Sequence, residues 1–326
     1  MTPYQLSGKL FDPAFARKAI DRVASAAAKA IDKAEPVTHL GIGKAKVAEV
    51  ASNRRVMGSD GKVKYVRYSA TKDPKVRAEP EGLIDPYVQS LALWNGDRSL
   101  AVLTYYATHP QSYYGKGGVS CDFPGLARNL RGDARHDAHP FQRLAETSPR
   151  AVQRRLVENR PILAQRLATG MKTAFEESKK SAIDAKDVDW KHVAVAMPAA
   201  ARLKSNELKK TIADETAPLA LRIKTARDLA WAERCERGDK IDLGLLKLGD
   251  AYVLHLPGEL FIEYQLAAQK LRPNSPVLTA AYGDYGMGYI GTEEAYGQGG
   301  YETGPVSRVA PSVENSLMAG IRELLR

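Results

Sequence analysis

Two cysteines, Cys121 and Cys235, are all that the 326 residues contain. So sparse a thiol content excludes a disulfide framework and a cysteine-ligated zinc cluster. Any metal site must therefore draw on His, Asp, Glu or Tyr. No stretch approaches the roughly 18 consecutive apolar residues of a membrane-crossing helix, and the first twenty residues lack the basic start and apolar centre of a signal peptide. The glycine-rich run near the C terminus has no Gly-Lys-Ser/Thr, which argues against a phosphate-binding loop. "GIGKAK" at 41–46 supplies two glycines of a dinucleotide fingerprint but has Lys46 where the third belongs, so that signal is weak.

Lysine is also missing locally. The chain holds 25 Arg and 23 Lys, yet residues 117–171 carry nine arginines and no lysine. Formal charge is +10, which alone would suit an acidic partner. No nucleic-acid-binding motif and no interleaving of aromatic with basic residues accompanies it, so no nucleic-acid partner is expected. Within the arginine-rich segment "HDAH" at 136–139 spaces two histidines three apart. One helix face could use that spacing for a metal, but the anomalous composition around it counts against the motif.

What the chain does have is regular. Asp12-Pro13 opens a helix over 14–34, with Ile20, Val23, Ala27 and Ile31 at spacings of three and four. Strands are expected at 37–56 and 63–68 around Ser59-Asp60-Gly61, and a hairpin joins "YVQSLALW" to "LAVLTYYA" through Asn95-Gly96-Asp97. That places His109 just past a buried strand. Helices follow at 162–180, 204–214 and 217–236, with a short strand at 192–197. The hairpin "LGLLKLGDAYVLHLPGE" turns at Gly249-Asp250 and delivers Glu259 at a strand end, ahead of a helix from about 259 to 271. A strand at 276–282 runs into seven glycines in eighteen residues, and a helix near 311–325 closes the chain. Strands that arrive both as hairpins and alternating with helices predict an α/β fold, a mixed-sheet α/β sandwich, treated as one domain over 1–326.

Three strand-end positions stand out: His109, Glu259 and the tyrosines of 282–301. Loops leaving rigid strands commonly carry chemistry. Singly, each has a plainer reading. A histidine before a proline is often a structural hydrogen-bonder, Pro-Gly-Glu can start a helix with an acid suited to its dipole, and Tyr289 and Tyr301 could simply pack. Together they form a His/Glu/Tyr set compatible with zinc.

The motifs "NRR" (53–55), "YYATHP" with "SCDFPGLAR", "LPGELFIEY" and "GYIGTEEAYGQGGYE" occur in that order. In this the chain resembles the neutral/alkaline non-lysosomal ceramidase family, particularly its shorter bacterial members, over most of 35–130 and 240–305. The resemblance implies a zinc amidohydrolase of an N-acyl, ceramide-like bond, acting on an N-acyl lipid or other amide. Peripheral contact with membrane lipid goes with such a substrate, and the oligomeric state stays open. It implies metal ligands His109, Glu259 and Tyr289. Tyr301 matches an oxyanion-stabilising tyrosine, Arg54 an active-site arginine, and Asp122 a motif aspartate expected to orient the site.

The chain departs from the family pattern twice. The family's first metal histidine sits in an upstream Thr-His-Thr-His-Ser-Gly-type motif that is absent here, and His39 lies too late to match it. The expectation is a chain that begins after that motif, with three of four ligands. The alternative function is accordingly a ceramidase-like protein that has lost metal and activity. Between about 130 and 157 an arginine-rich run replaces the glycine- and asparagine-rich stretch of relatives. Out-of-frame translation of GC-rich DNA would produce it, and so would a genuine basic insertion. Family members are commonly exported, and nothing in this chain decides its location.

Overall fold

The computed structural model describes residue 6 and residues 12–112, 118–131 and 160–326. Their elements in order are α1 (Pro13–Ile31), β1 (His39–Lys46), β2 (Arg55–Met57), β3 (Val63–Val66), α2 (Pro74–Ala78), β4 (Tyr87–Asn95), β5 (Arg98–Tyr105), α3 (Asp122–Arg131) and α4 (Arg160–Glu176). Then come β6 (Lys179–Ala182), β7 (Val188–Val195), α5 (Ser205–Ala213), α6 (Leu219–Glu236), β8 (Ile241–Leu248), β9 (Ala251–His255) and β10 (Glu259–Leu260). The last are α7 (Ile262–Leu271), β11 (Val277–Ala280), β12 (Tyr289–Ile290), α8 (Glu293–Gln298) and α9 (Val313–Leu324).

Two four-stranded sheets dominate. The first, ordered β5-β4-β1-β6, is antiparallel throughout. The second, ordered β11-β9-β8-β7, is mixed, because β11 runs parallel to β9 while its other pairs are antiparallel. Strand side chains alternate between faces, and each sheet uses both. Leu40 and Leu91 of the first sheet meet Val253 and Leu278 of the second in a shared core. On the other face of the first sheet, Ala45 and Val88 pack with Leu167 and Met171 of α4. On the other face of the second, Leu243 and Leu254 pack with Trp231 of α6, Tyr264 of α7 and Leu317 of α9. The predicted mixed-sheet α/β sandwich is therefore observed, layered helix, sheet, sheet, helix.

The glycines of "GIGKAK" find their reason in this packing. A Cβ on Gly43 would lie 1.9 Å from the carbonyl oxygen of Ala174, so α4 sits directly on β1 at a point where only hydrogen fits. They serve close packing inside β1, and no nucleotide-binding turn forms there.

Several boundaries moved. The strand expected over 37–56 is two strands, β1 and β2, separated by eight residues of loop that lead into Arg54. β5 is the edge strand of its sheet and has no fully buried residue, so His109 follows an edge strand and not a buried one. The helix expected from 259 starts at Ile262, because Glu259 and Leu260 pair with β12 instead. Asp12 caps α1 as expected, accepting from the backbone N–H of Ala14 and Phe15 at 2.9 and 3.1 Å. α1 buries none of its residues, however, and Ile20, Val23 and Ile31 stay exposed. Among the described residues no helix is long and apolar enough to cross a membrane. The pair His136 and His139 and most of the arginine-rich segment lie outside the described residues.

Candidate functional site

Parallel pairing of β9 with β11 sends both chain exits to the same end of the second sheet. From β9 the chain passes Pro257-Gly258 into β10, and from β11 it passes through 281–288 into β12. β10 and β12 then pair in parallel, with Glu259 opposite Tyr289. The exit of β5 brings in His109 four residues beyond its strand.

These exits converge. His109 Nε2 lies 3.3 Å from Glu259 Oε2 and 3.3 Å from the Tyr289 hydroxyl, and the Glu259 carboxylate is near enough to Tyr289 to help raise its pKa. Arg54 donates from Nη1 to the Tyr289 hydroxyl at 3.3 Å and pairs at 3.3 Å with the buried carboxylate of Glu302. Its guanidinium stands 5.8, 5.9 and 5.6 Å from the ring centres of Tyr68, Tyr289 and Tyr301, within the range of a cation–π contact. The Tyr301 ring meets that of Tyr289 edge-on at 5.8 Å.

Five of the six site residues read from the sequence thus form one cluster: His109, Glu259, Tyr289, Arg54 and Tyr301. Asp122 acts one step away. It begins α3 with a left-handed backbone, φ +51°, and its carboxylate accepts from the Ser112 hydroxyl and from the Phe123 N–H. Ser112 lies on the loop of His109, whose own turn is closed by the Gln111 N–H donating to the His109 carbonyl at 2.9 Å. Asp122 therefore tethers the histidine loop to the helix layer. His39 is elsewhere, in β1, hydrogen-bonded to Thr38.

Four neighbours were not singled out by the sequence. Tyr282 places its hydroxyl 3.1 Å from His109 Nδ1, and Tyr285 donates to the second oxygen of Glu259. Glu302 and Tyr68 flank Arg54. The tyrosines at 282 and 285 fall inside the glycine-rich run that drew attention as a whole, but nothing in that run distinguishes one phenol from another.

Electrostatics sort the protonation states. Burial pushes the His109 imidazolium down from its usual pKa; Glu259 opposes this and Arg54 adds to it. Burial first, then Glu259, raises the phenols of Tyr289 and Tyr285, and Tyr282 is pushed up to about 12. For Arg54 burial lowers the pKa, but the hydrogen bond to Tyr289 and the charge of Glu302 help to raise it overall. Near neutral pH the site holds a neutral imidazole, protonated phenols and a cationic guanidinium. A neutral imidazole is the form that binds metal, while Tyr289 would have to release its proton to bind as phenolate.

Among the described residues no three His, Cys, Asp or Glu side chains gather as a metal site. The set here depends on a tyrosine. The separations of 3.3 Å from His109 Nε2 to the other two donors match the edge of a tetrahedron whose metal–ligand bonds are about 2.0–2.1 Å, so His109 stands from each of them as one zinc ligand stands from another. They line a cleft of about 1010 Å³ whose wall also includes Phe123, Leu163 and Phe261.

No protein-family model and no curated protein sequence matches this chain. Among solved structures it is similar to the neutral ceramidase from Pseudomonas aeruginosa, with a TM-score of 0.57 and 14% identity over 88% of this chain and 52% of that one. It is similar also to a ceramidase complexed with C2, with a TM-score of 0.56 and 14% identity over 88% of this chain and 53% of the other. The chain has the neutral ceramidase fold. It spans about half the length of the ceramidases it matches.

Proposed function

We propose that this chain carries the centre of a zinc-dependent amidohydrolase that cleaves an N-acyl, ceramide-like bond. The supporting observation is the meeting of His109 Nε2 with Glu259 Oε2 and Tyr289 Oη, each at 3.3 Å, inside a ceramidase fold. His109, Glu259 and Tyr289 would hold the zinc. When bound, zinc supplies a Lewis acid and a water acidic enough to be a nucleophile near neutral pH.

The chain's own groups account for the rest of the chemistry. In amide hydrolysis a water oxygen bonds to the carbonyl carbon, the C–N bond breaks, and the amine departs with a proton. Negative charge builds on the carbonyl oxygen meanwhile. Arg54 stays cationic and cannot act as a base, so its role is to stabilise that charge, together with the Tyr301 hydroxyl. Glu302 holds the guanidinium in place. Asp122 holds the His109 loop through Ser112. Apolar residues along the cleft suit an acyl chain, so the substrate class is an N-acyl lipid or a related amide.

A catalytic zinc commonly keeps three protein ligands and an open position, which three side chains satisfy. A second reading is a ceramidase fold that holds no metal, since among the described residues no three His, Cys, Asp or Glu side chains gather as a metal site. One experiment separates the two. Purified protein is depleted with chelator, reloaded with zinc, and measured for bound metal and for release of a fluorescent fatty acid from an N-acyl sphingosine. The hydrolase reading expects one zinc per chain and zinc-restored turnover, both lost in His109→Ala. Absence of stoichiometric zinc in the wild-type protein would overturn it.

A further inference from the structure

Three non-glycine residues among those described adopt positive φ: Glu49, Asp122 and Tyr282. Two of them bear on His109. Asp122 grips its loop through Ser112, and an aspartate tolerates the left-handed region comparatively well. Tyr282 has φ +66°, and for a bulky aromatic that conformation is an outlier. Such strain persists only where the surroundings enforce it, and it gathers at functional sites.

The enforcing contacts are identifiable. The Tyr282 N–H donates to the Gly258 carbonyl at 3.0 Å, the Gly283 N–H to the Leu256 carbonyl at 3.1 Å, and the Gly258 N–H back to the Asp284 carbonyl at 3.0 Å. Residues 282–284 are laced to the segment that carries Glu259. Held there, Tyr282 directs its hydroxyl to His109 Nδ1 at 3.1 Å. Its ring stacks on Tyr285, with centres 6.3 Å apart and planes 22° from parallel, and Tyr285 donates to Glu259.

We infer that Tyr282 is a positioning residue for His109, its strained backbone retained so that the phenol fixes the imidazole with Nε2 toward Glu259 and Tyr289. This rests on the reading of His109 as a metal ligand. Metal-binding histidines are characteristically held through their other ring nitrogen, which sets tautomer and ring orientation. A side chain there for packing alone would need neither the left-handed backbone nor the contact with Nδ1. Tyr285 performs the matching service for Glu259, and the stacking couples the two phenols.

The test uses Tyr282→Phe and Tyr282→Gly in the full chain. Zinc affinity is read by chelator competition, the His109 ring nitrogens by ¹⁵N NMR with His109→Gln for assignment, and folding by thermal midpoint. Tyr282→Phe is expected to weaken zinc binding about 10–100-fold and to shift the Nδ1 resonance without lowering the midpoint. Tyr282→Gly relieves the positive φ, so its midpoint should stay level or rise while zinc affinity falls at least as far. Unchanged affinity and an unchanged Nδ1 resonance in Tyr282→Phe would overturn the inference, as would a Tyr282→Gly protein that merely unfolds earlier with normal affinity. Should the wild-type protein bind no zinc, the hydrolase reading fails, and the Nδ1 resonance alone decides whether Tyr282 positions His109.

Discussion

Glu259 and Tyr289, thirty residues apart, are register partners in a parallel ladder only two residues long. Neighbouring strands lie about 4.8 Å apart, so backbone pairing, not side-chain flexibility, sets how far the carboxylate and the phenol can separate. A glycine precedes each of them. Gly258 and Gly288 have φ of +64° and +70°, and a Cβ on Gly288 would approach the Val306 carbonyl oxygen to 2.3 Å. Gly288→Ala should therefore destabilise the protein by about 1–3 kcal/mol and spread the Glu259–Tyr289 pair. Urea unfolding would read the first effect and zinc stoichiometry the second. Wild-type stability with full zinc would remove the ladder from its proposed role.

Glu259→Gln keeps the shape of the side chain and removes its charge. If Glu259 is a ligand, zinc affinity should drop by more than the 10–100-fold typical of residues that only support a ligand, with little change in unfolding midpoint. Competition against a chromogenic chelator measures it. A loss below tenfold would mark Glu259 as a structural partner of His109.

Arg54 and Tyr301 should separate binding of metal from turnover. Tyr301→Phe removes one donor to the proposed oxyanion and leaves the three ligands, so kcat should fall about 10²–10³-fold with zinc content and KM near wild type. Arg54→Lys retains the charge but cannot keep the planar contacts to Tyr68, Tyr289 and Tyr301 together with the Glu302 pair, and a comparable loss is expected. Steady-state kinetics on one N-acyl substrate decide the matter. A rise in KM at constant kcat would make these residues substrate contacts instead.

The sequence was most legible where the physics is local. The Gly96 and Gly249 hairpins, the Asp12-capped helix and the amphipathic α9 follow from turn chemistry, capping and periodicity, which need no distant partner. Elements set by packing were harder to read. The run 37–56 looks like a continuous strand, yet it breaks after Lys46, where its pairing with β4 ends at Tyr87. β5 carries enough apolar residues to read as buried, but its place at the sheet edge is a property of strand order. Five of the six candidate residues carried by motifs were legible as residues that stand together. Tyr282 and Tyr285 were not, because the significance of a phenol in a glycine-rich loop depends on what stands 3 Å from its oxygen, and Glu302, though inside the last motif, is marked only by its pairing with Arg54.

Acid should reveal the support beneath the glycine-rich loop. Arg234 grips Asp284 with two hydrogen bonds of 3.0 and 2.7 Å, and the Asp284 carbonyl accepts from Gly258, next to Glu259. The Arg234 hydrogen bond holds the Asp284 carboxyl below the ordinary aspartate value. A carboxylate with a depressed folded-state pKa stabilises the fold at pH above its unfolded value, about 3.9, and loses that contribution as pH falls through the folded value. Both side chains are about one-third exposed, so solvent screening keeps the effect modest. Asp284→Asn should thus lower the unfolding midpoint at pH 6, and the gap from wild type should narrow progressively below pH 4. Replacing Arg234 by Ala should reduce the narrowing, leaving the Gly286 N–H, which donates to the Asp284 carboxylate at 3.0 Å, as the remaining contact that depresses its pKa. A gap that stays constant from pH 6 to pH 3 would show that the pair contributes through shape alone and not through charge.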